Sequence, residues 1–501
     1  MLLHARHHFF AAAALVLAPA AARSDLQDIA PPGTNVLILA DVAGLHESPL
    51  GKSMNWAARH AEDYQSGVTP FPDTASAVMF AREVDPRNLR TIKHEVGVIR
   101  MTGPVGFKTL VDAVGGKAST IGKRMAMQSP HGVAAAMLDE KTLVTQFPAD
   151  RTWFGKWLES VDRKTLAGPD SPYLKKAAAA WPTGAQVVIA TDMSGGIKEE
   201  AILEELRYRQ EDPAKAAALD KLAAVFATLE GMRLAVRVTD VIAAEWSIDF
   251  SRPIGPMEAS IRPYFEEAVK RMGSAGADFS TWKMSFRPNA VVFNATLKPE
   301  EFGEMLGSIH SPILAGAAYG RSSASTAPEP DRVQISHRYF RSVRNLLGAL
   351  DKLADSTDNY VLAAMQYDRI AARIQRMSTY GVDPDIVTYS NQVVNLLYGL
   401  SSSLRGVPRE AAVPDPQGAT GAYNTSGIVN GWNYPWRWGW VGPVYLDQNT
   451  RSVEYAKTAR TIADEAGARR EIWLQIRQMN VGMEKKLTDK YGVDFTKKDV
   501  K

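Results

Sequence analysis

Apolar positions follow two regimes along this chain. Between about residues 31 and 312, short apolar runs bounded by turn residues alternate with stretches of helical period. Beyond residue 332 the apolar residues recur at helical spacing.

The first regime carries one pattern twice. Gly33-Thr-Asn-Val-Leu-Ile-Leu-Ala-Asp41 and Gly184-Ala-Gln-Val-Val-Ile-Ala-Thr-Asp192 each give a turn residue, an apolar run and an Asp, which predicts a strand. Helical stretches follow at 48–64 and 199–229. In the second, Leu203, Leu206, Leu219, Leu222, Val225, Phe226 and Leu229 recur at helical spacing. A strand pair comes next in each copy, 76–83 with 95–101 and 232–239 with 243–250. In the latter, Val236, Val238, Ala244, Trp246, Ile248 and Phe250 alternate as half-buried strands do. Helices after Pro104 (106–114) and Pro256 (258–272) lead to a second strand pair, 124–128 with 132–138 and 281–286 with 290–296. Closing helices begin near Ala149 and Pro299, with Thr152-Trp-Phe-Gly-Lys-Trp-Leu158 matching Glu301-Phe-Gly-Glu-Met-Leu306. Hairpins interleaved with helices predict an α+β fold: a duplicated antiparallel-sheet-plus-helices domain, with copies at 30–165 and 170–318.

A Gly/Ser/Pro-rich linker at 319–331 separates these copies from a mainly α-helical C-terminal region, 332–501. One stripe is Tyr339, Phe340, Val343, Leu346, Leu347, Leu350 and Leu353. A second helix, 359–380, carries Leu362, Met365, Ile370, Ile374 and Met377. Val382-Asp383-Pro384-Asp385 breaks it and caps a third helix through 404. A last helix at 450–491 is expected to bend near Gly467 and Gly482. Between the third and last helices, 405–446 is an aromatic-rich loop in which Trp432, Tyr434, Trp436, Trp438 and Trp440 alternate with other residues. An extended chain puts all five rings on one side, beside Arg437.

The order Arg338-Tyr-Phe-Arg-Ser-Val-Arg, Tyr367-Asp-Arg-Ile-Ala-Ala-Arg-Ile, Gly381-Val-Asp-Pro-Asp-Ile-Val-Thr-Tyr-Ser390, the aromatic loop and Lys490-Tyr-Gly-Val-Asp-Phe495 resembles a group of uncharacterised exported bacterial proteins of planctomycete type. The resemblance spans about 335–496. It implies a bacterial envelope origin and brings no activity with it.

Composition narrows the picture. With 45% hydrophobic and 23% charged residues, the 501-residue chain is globular rather than disordered. A formal charge of +3 gives no footprint for nucleic acid. The absence of cysteine excludes disulfides, thiolate metal sites and cysteine nucleophiles. The start has secretory form: Arg6 with His4, His7 and His8, a short apolar run at 9–18, and cleavage sites at Ala18-Pro19-Ala20 and Ala20-Ala21-Ala22. A signal peptide at 1–22 is expected, the alternative being an uncleaved anchor. No later stretch is long and apolar enough to predict a membrane span in the mature chain.

Candidate chemistry is sparse. Gly51-Lys52-Ser53 has the end of a phosphate-binding loop but His46 where its first Gly belongs, so Ser48-Pro49 reads as a helix start. Ser280 and Lys283, Tyr389-Ser390-Asn391 and Lys457 follow the order of a serine-enzyme class, yet the first pair enters a strand pattern and Lys457 a helix. Ser194 sits in a strand-to-helix turn, not in a nucleophile elbow. His46, His60, His94, His131, His310 and His337 show no metal-ligand spacing. His46-Glu47 and His94-Glu95 read as surface pairs on opposite sides of a strand. Asp41 and Asp192, at equivalent strand ends, read either as caps or as a carboxylate pair brought together by pseudo-symmetry. The aromatic row admits three readings: rings folded into the core, a surface for a protein partner, or a platform for sugars. The candidate binding residues are therefore Trp432, Tyr434, Trp436, Arg437, Trp438 and Trp440.

Catalytic, cofactor and metal residues are expected to be none. The expected function is an exported, non-catalytic binding or structural protein of the cell envelope, periplasmic or extracellular. Its expected partner is an envelope protein or polysaccharide, not nucleic acid. The competing expectation is a secreted hydrolase whose site no motif announces.

Overall fold

The computed structural model describes residues 26–404 and 466–495. Within the first span, positions 66–68, 86–87, 105, 114–115, 130–131, 180, 182–183, 197, 201, 204–215, 264, 266–280, 308, 310–328, 355–359, 378 and 380 are not described. The expected signal peptide, nearly all of the expected linker and the whole aromatic-rich stretch, including Trp432, Tyr434, Trp436, Arg437, Trp438 and Trp440, lie outside the described residues.

The strands join into one 12-stranded antiparallel sheet. The first copy supplies β1 (Val36–Ala40), β2 (Ala75–Asp85), β3 (Asn88–Met101), β4 (Lys117–Ile121), β5 (Arg124–Gln128), β6 (Ala134–Asp139) and β7 (Thr142–Phe147). The second supplies β8 (Val187–Asp192), β9 (Leu229–Val238), β10 (Ile242–Phe250), β11 (Lys283–Arg287) and β12 (Ala290–Leu297). The order is β11-β12-β10-β9-β8-β1-β2-β3-β7-β6-β5-β4. Read outward from the centre, each copy runs first strand, hairpin, hairpin, so the fold is α+β and duplicated.

The two copies meet at their first strands. Ile38 pairs with Ile189, the residue at the same place in the repeat, while Val36 pairs with Thr191 and Ala40 with Val187. A local twofold therefore passes through Ile38 and Ile189. The hydrogen bonds flanking it repeat as well. The Asn35 side-chain amide brackets Val84, donating to its carbonyl at 2.8 Å and accepting from its N–H at 2.9 Å. Gln186 does the same to Val238, at 3.2 and 2.8 Å.

The matching of the outer hairpins needs correction. The partner of β11–β12 is β6–β7, which lies beside β3 as β12 lies beside β10. The expected pair, 124–128 with 132–138, does form, as β5 on β6, but it is not the counterpart of β11–β12. The β4–β5 hairpin is an addition to the first copy that extends its edge.

Helices cover the sheet unevenly. On one face lie α1 (Val42–Glu47), α2 (Pro49–Ser53), α3 (Trp56–Gln65), α4 (Phe107–Ala113), α7 (Ala216–Phe226) and α8 (Pro299–Gly307). Val42, Leu45, Val111, Leu222, Phe226, Phe302 and Leu306 pack there on Ile38, Phe80, Ile189, Leu234, Trp246 and Phe293. Trp56 stacks on Phe302, 6.0 Å between centroids, so the helix layer also bridges the copies. On the other face lie α5 (Arg151–Asp162) and α6 (Pro172–Ala178), whose Phe154, Trp157, Leu158 and Leu174 cover Leu37, Leu39, Met79, Val96, Val98 and Val188.

The C-terminal region is helical: α9 (Glu329–Ala354), α10 (Tyr360–Arg376), α11 (Pro384–Ser403) and α12 (Ala466–Tyr491) share their own core around Phe340, Ile374, Tyr389, Leu397 and Ile476. The expected bend at Gly482 is absent. One helix runs through it, because Gly482 faces open space while Ile472, Ile476 and Leu487 keep the buried stripe in register. Gly467 lies at the start of this helix, and 450–465 is outside the described residues.

Candidate binding face

Half-buried strands have a second face, and in the second copy, among the described residues, only α6 packs on part of it. The register makes Arg233 of β9 the counterpart of Met79 in β2. Arg233 pairs with Ala190 as Met79 pairs with Leu39. Likewise Glu245 and Ser247 of β10 stand where β3 has Val96 and Val98. Three apolar positions covered by α5 in the first copy are thus polar in the second. The helix after the last strand follows this difference: α5 packs on that face of the first copy, whereas α8 packs on the opposite face of the second. A helix laid over Arg233 and Glu245 would desolvate charges, which costs far more than it recovers.

The open face is organised by ion pairs. The Glu245 carboxylate accepts from Arg233 Nη2 through Oε1 at 2.8 Å and from Arg287 Nη2 through Oε2 at 2.7 Å. One carboxylate between two guanidinium groups leaves the cluster positive. Arg237 and Lys283 lie exposed on the same face. Where α6 meets β9 and β10, a cleft of about 490 Å³ opens, lined among others by Tyr173, Lys176, Glu230, Arg233, Asp249 and Arg287.

Tyr173 forms the wall of this cleft. Ser171 caps α6 by accepting from Leu174 N–H, and Pro172 occupies the first turn, which fixes where the Tyr173 ring points. The ring lies against Gly231. A Cβ at Gly231 would stand 2.4 Å from the Tyr173 ring and 2.5 Å from the Thr191 carbonyl, so only glycine fits. The Tyr173 hydroxyl donates to Asp249 Oδ2 at 2.7 Å, and Ser247 Oγ donates to Oδ1 at 2.7 Å. Burial first, then the neighbouring carboxylate, pushes the Tyr173 hydroxyl far above the ordinary phenol range, so it stays a donor at every physiological pH. The cleft therefore offers fixed cationic donors, the Tyr173 proton being already given to Asp249, and no histidine is among its described lining residues. That chemistry suits recognition of anionic or polar groups by charge-assisted hydrogen bonds.

The other sequence candidates resolve one by one. Asp41 and Asp192 do not form a pair: antiparallel β1 and β8 put them at opposite ends, bonded to Gln186 and Asn35 carbonyls respectively. Each is a local cap, Asp41 accepting from Gly44 N–H and Asp192 from Ser194 N–H. Gly51 sits at the start of α2, where Ser48 accepts its N–H. Lys283 begins β11, and Ser390 lies within α11.

The expectations about the two histidine pairs hold only in part: His94 and Glu95 do alternate on a strand and Glu47 is exposed, but the rest differs. Glu95 is fully buried and paired with Arg82 across β2 and β3, while His94 lies half-buried against the Trp153 ring at 4.0 Å. His46 and Glu47 sit in α1, not in a strand, and His46 turns inward to meet His60 with ring centroids 4.8 Å apart. Fourteen positions separate these two residues and no local motif links them. Only the return of α3 along α1 brings them together. Among the described residues no group of three or more His, Asp or Glu could hold a metal.

No family model matches this chain, and no curated protein does. Among solved structures it is similar to TP0453, a Treponema protein. Crystal form I gives 12% identity and a TM-score of 0.34, covering 57% of this chain and 97% of that chain. Form IV gives 14% and 0.32, covering 58% and 98%.

Proposed function

We propose that this chain is an exported, non-catalytic binding protein of the bacterial cell envelope, and that the open face of β9–β12, with the cleft at α6, is its binding surface. The observation that carries the reading is the contrast between equivalent positions. Met79, Val96 and Val98 make a covered core, whereas Arg233 and Glu245 make an ordered, half-exposed ion pair and Ser247 gives its buried hydroxyl to Asp249. Five cations (Lys176, Arg233, Arg237, Lys283, Arg287) face three carboxylates there (Glu230, Glu245, Asp249), so the ligand is an acidic envelope polysaccharide or an acidic segment of an envelope protein. The secretory form of residues 1–22, the lack of cysteine and the resemblance of 335–496 to exported planctomycete-type proteins support the location. Among the described residues no helix is long and apolar enough to cross a membrane. The aromatic row from Trp432 to Trp440, with Arg437, is proposed as a second contact for the same partner.

The test is retention of envelope polysaccharide and envelope extract by the purified chain. An Arg233→Ala/Arg287→Ala variant and a Trp436→Ala/Trp438→Ala variant run beside it, each checked for folding by circular dichroism. The arginine pair should weaken retention by at least about tenfold, equal to 1.4 kcal/mol. Equal retention by the folded arginine variant would remove this face from the account.

A further inference from the structure

We propose that His46 and His60 form a binding site for one divalent transition-metal ion of the zinc or cobalt type, held by Nδ1 of His60 and one imidazole nitrogen of His46. His60 Nε2 lies 3.0 Å from the Phe71 carbonyl oxygen. A carbonyl can only accept, so Nε2 carries the proton and Nδ1 keeps its lone pair. That Nδ1 is buried and has no hydrogen-bond partner among the described residues, and His60 itself is only 6% exposed. Buried acceptors without donors are rare and call for an explanation.

The surroundings supply one. A ring N–H given to a backbone carbonyl is the usual way a metal-binding histidine is oriented. A second imidazole lies alongside, its centroid 4.8 Å away and its plane turned by 74°. Two imidazoles sharing a tetrahedral ion, with metal–nitrogen bonds of about 2.0–2.1 Å, hold their centroids roughly 5 Å apart. Burial depresses both imidazoles below the ordinary histidine range, which keeps them neutral, the form that ligates. No third described side chain completes the set, so water fills the remaining positions. The ion would tie the end of α1 to the middle of α3, with His46 as its half-exposed ligand. Nitrogen ligands select zinc, cobalt, nickel or copper over calcium and magnesium.

The experiment is titration of the untagged, metal-stripped chain with Zn²⁺ by calorimetry and with Co²⁺ by visible absorption. His4→Ala, His7→Ala and His8→Ala are present throughout to silence the leader. One equivalent should bind, and Ca²⁺ should not compete. His46→Ala, at a half-exposed position, keeps the fold by circular dichroism and should weaken binding about 100-fold or more. His60→Gln should do the same, and His94→Ala should change nothing. Absence of a stoichiometric site in the parent chain, or undiminished binding by the folded His46→Ala variant, overturns the proposal.

Discussion

Gly231 and Tyr173 show how one missing side chain sets the cleft. With the Tyr173 ring 2.4 Å from where a Cβ would stand, Gly231→Ala must push the ring off β9. The expected cost is about 1–3 kcal/mol, read as a lowered midpoint in denaturant unfolding. An unchanged midpoint would mean that the ring is not seated there. Asp383 makes the complementary case in the helical region. It accepts from Tyr491 and from Asp385 N–H, and pairs with Lys490 at 2.7 Å, tying α11 to α12. Burial alone would raise its pKa, but the bonds from Lys490, Tyr491 and Asp385 outweigh burial and hold the carboxyl below the ordinary Asp value. A group depressed in the folded state stabilises fully above its unfolded pKa, about 3.9 for Asp, and that contribution is lost as pH falls through the folded value. The parent chain should therefore lose stability below about pH 4, while Asp383→Asn should start lower and show a flatter acid limb. Parallel acid limbs would show that Asp383 is not the titrating group. The Val-Asp-Pro-Asp break was legible in the sequence as a helix start. Its second role, a clamp on a helix about a hundred residues later, was not, because nothing local to Asp383 encodes Lys490 or Tyr491.

Among the elements, the seam between β1 and β8 carries the duplication. Ile38 and Ile189 are both buried and face each other across it. Ile38→Ala and Ile189→Ala should each cost about 2–5 kcal/mol. Because the two side chains touch one shared core, the double variant should depart from additivity. Strict additivity, measured by chemical denaturation, would argue that the seam is not a packed unit. The repeat was readable because both apolar runs end in Asp and both lead into alternating pairs such as Val236–Val238 and Ala244–Phe250. The hairpin register was not. Ala134-Ala-Ala-Met137 has little contrast between faces, so the sequence could not say that β6 pairs with β7 and that β4–β5 is an extra hairpin. Nor could periodicity place α5 and α8 on opposite faces. Their segments match in pattern, and the decision lies in what the strands beneath them offer, Met79 and Val98 in one copy and Arg233 and Ser247 in the other.

At the scale of the whole molecule, among the described residues, helices cover both faces of β1–β3 and β7, whereas β10–β12 carry helices on one face. This asymmetry is the basis of the functional reading. Strict alternation in β9 and β10 announced strands with one wet face, so the open surface was implicit in the sequence. The ion cluster was not, since Arg233, Glu245 and Arg287 come from three strands joined only by register. The His46–His60 contact was hidden for the same reason. The most direct test of the account is hydrogen exchange on the chain with and without acidic envelope polysaccharide. The account predicts slowed exchange in β9–β12 and in α6, with β2–β7 unchanged, and loss of that protection in the Arg233→Ala/Arg287→Ala variant. Protection confined to other elements, or protection that survives the arginine substitutions, would contradict it.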